Sequence, residues 1–411
     1  MTVAGKNIRE KLKWIIFVAV IVYNSGFLPM VSENSISVYL YWLFGMLGIV
    51  TVFNLHGKLP VRSGGLLLLT VLFVTISGLI NGERVQSIIT TSCIFLSAFY
   101  ISQKVEWQKF ADSFVITMRW LTIISLVLFY YIQMNNGFVR IFPQILLKKT
   151  YYSNLGLFFI RSDYLVRNQS LFWEPGLFAG FLVIAIIIAE LYREKNNLDI
   201  IVFVAGIISS NSTTGILLIF PIIVFVILHR AKRIGRTSRL IITLLTIIIS
   251  AFLLVNMQMV LAALSTVINL PLAKIYNESI NYTARLYGPL VNLRIFARHP
   301  IFGAGWNNAT QLFISDISSN GLVDAQTSTM TFYPAALGIV GLLLDVVVII
   351  GCFTRKELDF PSKVVFLTIV IIVLNSEPYS GLLATTCILF YVTKELDNAG
   401  TKVYVEEKIV E

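Results

Sequence analysis

Arg161 and Arg167 precede Gln169, Trp173 and Glu174 in the run Arg161-Ser162-Asp163-Tyr164-Leu165-Val166-Arg167-Asn168-Gln169-Ser170-Leu171-Phe172-Trp173-Glu174-Pro175-Gly176. Guanidinium forks match phosphate oxygens in a bidentate way. Aromatic faces such as that of Trp173 pack on sugar rings, and amides such as Gln169 bond hydroxyls. Collected in one stretch, these residue types suit the holding of a sugar joined to a lipid phosphate. Pro175 fits the first turn of a helix and so places Glu174 at or beside the N-cap, where a carboxylate can be a plain cap, a reacting group or both.

A second set lies further on. Gly288-Pro289 predicts the start of a short helix that runs to about His299 and stops before Pro300. Arg294 and Arg298, four apart, then share one face that can grip a pyrophosphate. The plain alternative is a solvated, lipid-contacting face. His299 leads into Pro300-Ile301-Phe302-Gly303-Ala304-Gly305-Trp306, a turn whose glycines allow backbone N–H groups to approach a ligand closely. With no strand before it, this is not a nucleotide-binding glycine loop.

The elements that carry these residues follow from composition. The chain has 411 residues, 56% of them hydrophobic and 13% charged, with a mean hydropathy of +0.80, which predicts an all-α polytopic integral membrane protein. The net charge of +10 sits largely in short loops between apolar runs, where it sets orientation, so no nucleic-acid role is expected. Cys93, Cys352 and Cys387 show no pairing or ligand spacing. Neither long loop carries a D-x-D motif, and neither a metal nor a cofactor is expected.

Crossing hydrocarbon takes roughly 20 apolar residues per helix. About twelve stretches are candidate spans: 14–31, 36–55, 64–81, 86–101, 113–132, 176–191, 199–210, 213–228, 239–258, 331–353, 363–375 and 380–392. The polar stretch Ser209 to Gly215 leaves open whether 199–228 is two spans or one broken one. The first run follows Lys6, Arg9, Lys11 and Lys13 but lacks a small-x-small cleavage site, so it is expected to be retained.

Inner loops then carry Lys58 and Arg62, Lys104 and Lys109, Arg193 and Lys195, the cluster from Arg230 to Arg239, and Arg355, Lys356 and Lys363. Both termini are expected to be cytoplasmic, including a tail over 393–411, with residues 1–411 as a single membrane domain. Two long loops, 133–175 and 258–331, fall outside and are expected to carry short helices. Both are cationic against the rule, through Arg140, Lys148, Lys149, Arg161 and Arg167 in one and Lys274, Arg285, Arg294 and Arg298 in the other. Surface charge or anionic headgroup binding is the plain account. Arg119 and Asp345 lie inside spans near the inner side, where a structural ion pair or snorkelling is expected.

Three pieces together resemble the bacterial O-antigen and capsular polysaccharide polymerases, of the O-antigen ligase and polymerase superfamily. They are Phe172-Trp173-Glu174-Pro175-Gly176, Ser212-Thr213-Thr214-Gly215, and Arg294-Ile295-Phe296-Ala297-Arg298-His299-Pro300-Ile301-Phe302-Gly303-Ala304-Gly305. Arg294 and Gly305 reproduce the arginine, ten residues, glycine spacing of such loops, whereas neither Arg161 nor Arg167 has a glycine so placed. Where ligases tend to show His-Asn before a Leu-Gly-x-x-Gly span, this chain has Asp324-Ala325-Gln326-Thr327-Ser328 before Leu337-Gly338-Ile339-Val340-Gly341, which favours a polymerase.

The resemblance implies a glycosyltransferase in the bacterial cytoplasmic membrane, with its site facing outward. It would use undecaprenyl-diphosphate-linked oligosaccharides as donor and acceptor, and a flippase and a chain-length regulator are implied as partners. Under this reading Arg161, Arg167, Arg285 and Arg298 bind the diphosphate, and Trp173, Gln169 and Trp306 bind sugar. Glu174, Arg294 and His299 are the catalytic candidates. Glu174 is the first choice of base, followed by Asp163, His299 and Asp324. An O-antigen ligase and a lipid-linked oligosaccharide flippase or transporter are the alternatives.

Overall fold

In hydrocarbon no water satisfies the peptide groups, so apolar segments must close their hydrogen bonds internally. This overrides local preference. The β-branched run Ile186-Ile187-Ile188 would favour a strand by itself, yet it lies in the middle of a helix. The computed structural model describes residues 3–26, 36–54, 60–135, 137–147, 150–156, 158–161, 167–193, 196–231, 234–256, 287–319 and 328–410.

The helices, in chain order, are α1 (Val3–Asn24), α2 (Ile36–Asn54), α3 (Val61–Ile80), α4 (Val85–Lys104), α5 (Trp107–Met134), α6 (Pro175–Tyr192), α7 (Asn197–Ser210), α8 (Thr213–Arg230), α9 (Arg236–Val255) and α10 (287–298). They continue with α11 (Trp306–Ser319), α12 (Thr329–Leu337), α13 (Ile339–Phe353), α14 (Phe360–Leu374) and α15 (Leu383–Val410). Among them α3, α4, α5, α6, α8 and α9 are long and apolar enough to cross a membrane. α9 turns Leu244, Ile248 and Phe252 outward, the surface that a lipid solvent demands. The chain is a predominantly helical membrane protein.

Every apolar stretch of the sequence contains a helix, with three refinements. The stretch 199–228 is two helices separated by Asn211, whose left-handed backbone (φ 49°) closes α7. The stretch 331–353 is likewise divided at Gly338 into α12 and α13. The last helix does not stop near 392 but continues to Val410.

The first long loop also differs from the short helices expected of it. Among the described residues it holds one 3-10 turn, Phe138–Ile141, and a three-stranded antiparallel sheet: β1 (Gln144–Leu147), β2 (Thr150–Asn154) and β3 (Phe159–Arg161). Leu147 opposes Thr150, and Asn154 opposes Phe159. Ile145, Thr150, Tyr151, Tyr152, Phe159 and Ile160 are residue types that suit strands, and the Asn154 side chain, accepting from Gly156 N at 2.9 Å, makes the second turn.

The chain divides into two compact units, one of residues 1–38 and 105–227, the other of 39–104 and 228–411. In the first, α6 is the core helix, packed by α5 and α7, with α1 on α5. One end of this unit is tied by charge: Asp199 meets Arg193 at 2.9 Å and Arg119 at 3.2 Å, and Arg193 also reaches Asp112. The intramembrane Arg119 is thus in a structural ion pair, with Asp199 as partner. In the second unit α3, α4 and α15 pack together, α12 and α13 lie against α3, and α9 pairs with α14. Arg239 bonds Asp359 at 2.6 Å, Arg355 bonds Glu395 at 2.6 Å, and Lys394 donates to Ser102 O. Asp345 is buried on α13 and forms no ion pair among the described residues.

Candidate functional site

The loop that precedes α6 is anchored by Asn168. Its backbone N–H donates to Ser209 O at 3.0 Å, its Nδ2 donates to Ser125 Oγ and Ser209 Oγ at 3.1 Å each, and its Oδ1 accepts from Ser170 N. One amide thereby joins α5, α7 and the loop. The Asx turn sends Ser170 to φ 52°, a conformation unusual for a residue with a Cβ. Arg167 lies beside it and donates through Nε to Ser210 O at 3.4 Å.

Around this turn two polar atoms are buried without a hydrogen-bond partner, Gln169 Oε1 and Ser170 Oγ. Gln169 spends its Nε2 on Phe159 O at 2.7 Å, which ties β3 to the loop. Gln169, Ser170, Asn168, Arg167 and Ser125 line a cleft beside Phe159 with a free volume of about 20 Å³, room for roughly one water. Arg161, at the end of β3, stands opposite Tyr152 in the sheet.

Glu174 occupies the N-cap position of α6 with extended backbone, and Pro175 follows at N1, as the sequence suggests. Its side chain makes no capping hydrogen bond. The half-buried carboxylate is therefore not consumed by the helix end. Trp173 is only 8% exposed, which leaves little of its ring as a platform for a sugar.

In the second unit α10 places Arg294 and Arg298 on one exposed face. Arg294 donates to Tyr287 Oη at 2.7 Å, and its guanidinium sits 5.1 Å above the Tyr287 ring. Arg298 and the His299 side chain have no hydrogen-bond or ionic partner among the described residues.

The glycine turn after His299 does something other than wait for a ligand. Ala304 N donates to Ala335 O at 2.8 Å, Gly305 N donates to Ala336 O at 3.1 Å, and Ile339 N donates to Ile301 O at 3.2 Å. Pro334 and the Gly338 turn (φ 60°) interrupt the helix, and the turn supplies the donors that the carbonyls there lose. The approach is close enough that only glycine fits: a Cβ on Gly338 would lie 2.2 Å from Ile301 O, and one on Gly303 would lie 2.2 Å from Ala336 O. The N–H groups of Ala304 and Gly305 thus serve chain–chain contact.

Two residues that sequence reasoning passed over complete this end of the unit. Glu83 Oε1 accepts from the backbone N–H groups of Asn307 at 2.5 Å and Asn308 at 3.1 Å, capping α11 from another part of the chain. Asn81 Nδ2 donates to Gly303 O at 3.3 Å. The only signal was a carboxylate and an amide in a short turn after an apolar span. For Asn168 the signal was Asn-x-Ser, a common Asx-turn pattern. Trp306 packs edge-on against Phe332 at 5.1 Å and Phe95 at 6.1 Å, with Tyr333 tilted at 6.0 Å, so its ring is engaged in packing.

Among the candidates the structure brings Arg161, Arg167, Gln169, Trp173 and Glu174 into the first unit, and Arg294, Arg298, His299 and Trp306 into the second. Arg285, Asp163 and Asp324 lie outside the described residues, as do Lys148, Lys149 and Lys274. No group of three or more metal-ligating side chains occurs among the described residues. A comparison with protein-family models returns no match, and neither does one with curated protein sequences.

Proposed function

We propose that the chain is a polysaccharide polymerase of the bacterial cytoplasmic membrane, joining undecaprenyl-diphosphate-linked repeat units at the outer face. The observation that carries this reading is a contrast among arginines. Arg119, Arg193, Arg239 and Arg355 are neutralised by carboxylates. Arg294 and Arg298, exposed on one helix face, meet none among the described residues. Cations left uncompensated in this way await an anion.

What supports the twelve-span, outward-facing arrangement is the company each loop keeps. In the second unit the 81–83 turn and the 303–308 segment, both assigned outside, touch each other. Arg239 with Asp359 and Arg355 with Glu395, all assigned inside, also meet. In the first unit Arg119, Arg193 and Asp199 do the same. A cytoplasmic position for both termini agrees with this alternation.

In the reaction, a hydroxyl of the acceptor's non-reducing sugar attacks the anomeric carbon of the donor chain. The bond from that carbon to the diphosphate oxygen breaks, and the lipid diphosphate leaves with the electron pair. Arg294 and Arg298 offset the charge that builds on it, an effect worth about 3 kcal/mol per well-placed donor. Within the second unit His299 is the candidate base; in the first unit the candidate is Glu174, whose carboxylate is spared from capping, and such a group contributes roughly 100-fold. A transporter reading would make the Gly338 break a mid-membrane binding point, but its carbonyls are already taken by residues 304 and 305.

The test is incubation of purified protein with lipid-linked repeat units, followed by electrophoresis. A ladder of lengthening products is expected. Transfer of a single block to a lipid A core or to protein would instead make the chain a ligase. A null strain displaying single repeat units agrees with a polymerase, whereas donor accumulating inside the cell points to a flippase.

A further inference from the structure

Two contacts measure how deep the turn after α10 lies. Phe302 packs on Phe73 of α3 with ring centroids 5.5 Å apart. Phe73 is seven residues short of Ile80, where α3 ends, and at 1.5 Å per residue the contact is about 10 Å inside the end of that apolar helix. The second contact is the Ile339 N to Ile301 O bond at the Gly338 break, between the apolar helices α12 and α13. The Phe302 side chain therefore reaches down alongside α3, while Gly303 O, held by Asn81 Nδ2 at 3.3 Å, keeps the backbone of the turn level with the end of that helix.

At that level Ile301 is 61% exposed. α10 continues the same outward face, with Leu290 51% and Leu293 46% exposed beside Arg294 and Arg298. Positions 290, 293, 294 and 298 follow the three-and-four spacing of one side of α10, and Ile301 lies in the turn just past its end. The face is apolar at both margins, cationic in the middle and free of acidic residues. That profile matches the layer where hydrocarbon gives way to lipid phosphate, where leucines enter the acyl boundary and arginine heads stay among the anions.

We infer that residues 287–303 form a wedge seated in the bilayer interface, with Leu290, Leu293 and Ile301 in lipid and Arg294 and Arg298 on the phosphates of bilayer lipids. The choice of the outer leaflet rests on the orientation proposed above. On that orientation the diphosphate of a lipid-linked sugar reaches Arg298 by lateral diffusion through the membrane and not from water.

The experiment uses full-length protein in nanodiscs of phosphatidylglycerol and phosphatidylcholine. Cysteine variants Leu293→Cys and Ile301→Cys carry a bimane label. The native Cys93, Cys352 and Cys387 are buried, and the unsubstituted chain serves as the blank. Lipid carrying a nitroxide near the top of its acyl chain is expected to quench both labels severalfold more than aqueous iodide does, and Arg298→Glu is expected to reduce that preference for the Ile301→Cys label. Dominant iodide quenching would place the face in water and overturn the wedge. Quenching by neither agent would mean that protein covers it, which overturns the wedge equally. Product ladders measured on the same samples separate the two readings: lipid quenching with no polymer would count against the polymerase alone, and polymer with iodide quenching against the wedge alone.

Discussion

Glu83 Oε1 accepts the backbone N–H of Asn307 at 2.5 Å, so a carboxylate in the turn between α3 and α4 begins a helix more than two hundred residues further along the chain. The same oxygen takes Asn308 N, and a Cβ on Gly305 would stand 2.6 Å from it. The turn from His299 to Trp306 is thus held on two sides, by Glu83 and by the Gly338 break.

Removing that cap is expected to cost about 1–2 kcal/mol, because two donors at a helix start lose their acceptor. Glu83→Ala should lower the thermal unfolding midpoint in detergent by a few degrees, while Glu83→Gln, which keeps one oxygen, should lower it less. Equal midpoints for Glu83→Ala and the parent chain would show that the contact contributes nothing.

Gly338→Ala is expected to prevent correct folding, since the new methyl would meet Ile301 O at 2.2 Å and the backbone already sits at φ 60°. Gly65→Ala is the matched control, with nothing within 4 Å of its Cβ. Fluorescence size-exclusion profiles of tagged protein should show aggregation or loss for the first and a normal peak for the second.

Arg298→Ala should leave that profile unchanged, because the side chain is exposed and unpaired among the described residues. Polymer formation from lipid-linked units should fall by roughly 100-fold, the loss of about one transition-state donor. Arg294→Ala should behave similarly. Lysine at either position should recover little, because it cannot present two parallel donors. Normal polymer length and amount in both alanine variants would remove the arginines from the reaction.

Glu174→Gln keeps the size and position of the side chain while abolishing its basicity. Since the carboxylate makes no capping bond, stability should change little and turnover should drop by roughly 100-fold or more. Unchanged turnover would reduce Glu174 to a residue that merely precedes Pro175.

Asp199→Asn should destabilise the first unit by about 2 kcal/mol. It leaves Arg119 and Arg193 facing each other without the carboxylate that joins them, a loss moderated because both arginines are partly exposed. Chemical unfolding followed by tryptophan fluorescence measures the change.

Much of this architecture was legible in the chain. Lipid solvent forces apolar runs into helices, so the apolar helices followed from hydropathy, and proline geometry gave Pro175 opening α6 and Pro300 ending the helix that carries Arg294 and Arg298; the sheet over 144–161 stands where short helices were expected. What one dimension could not contain was partnership. Ala335 and Ala336 accept from Ala304 and Gly305, Glu83 caps α11, and Asn168 reaches both Ser125 and Ser209, because side chains and freed carbonyls bond whatever folding brings within 3 Å. Those meetings also decided the glycines: Gly303 and Gly305, read locally as an opening for a ligand, are closed by backbone, since the only polar partners available to a broken helix in an apolar medium are those the protein itself supplies.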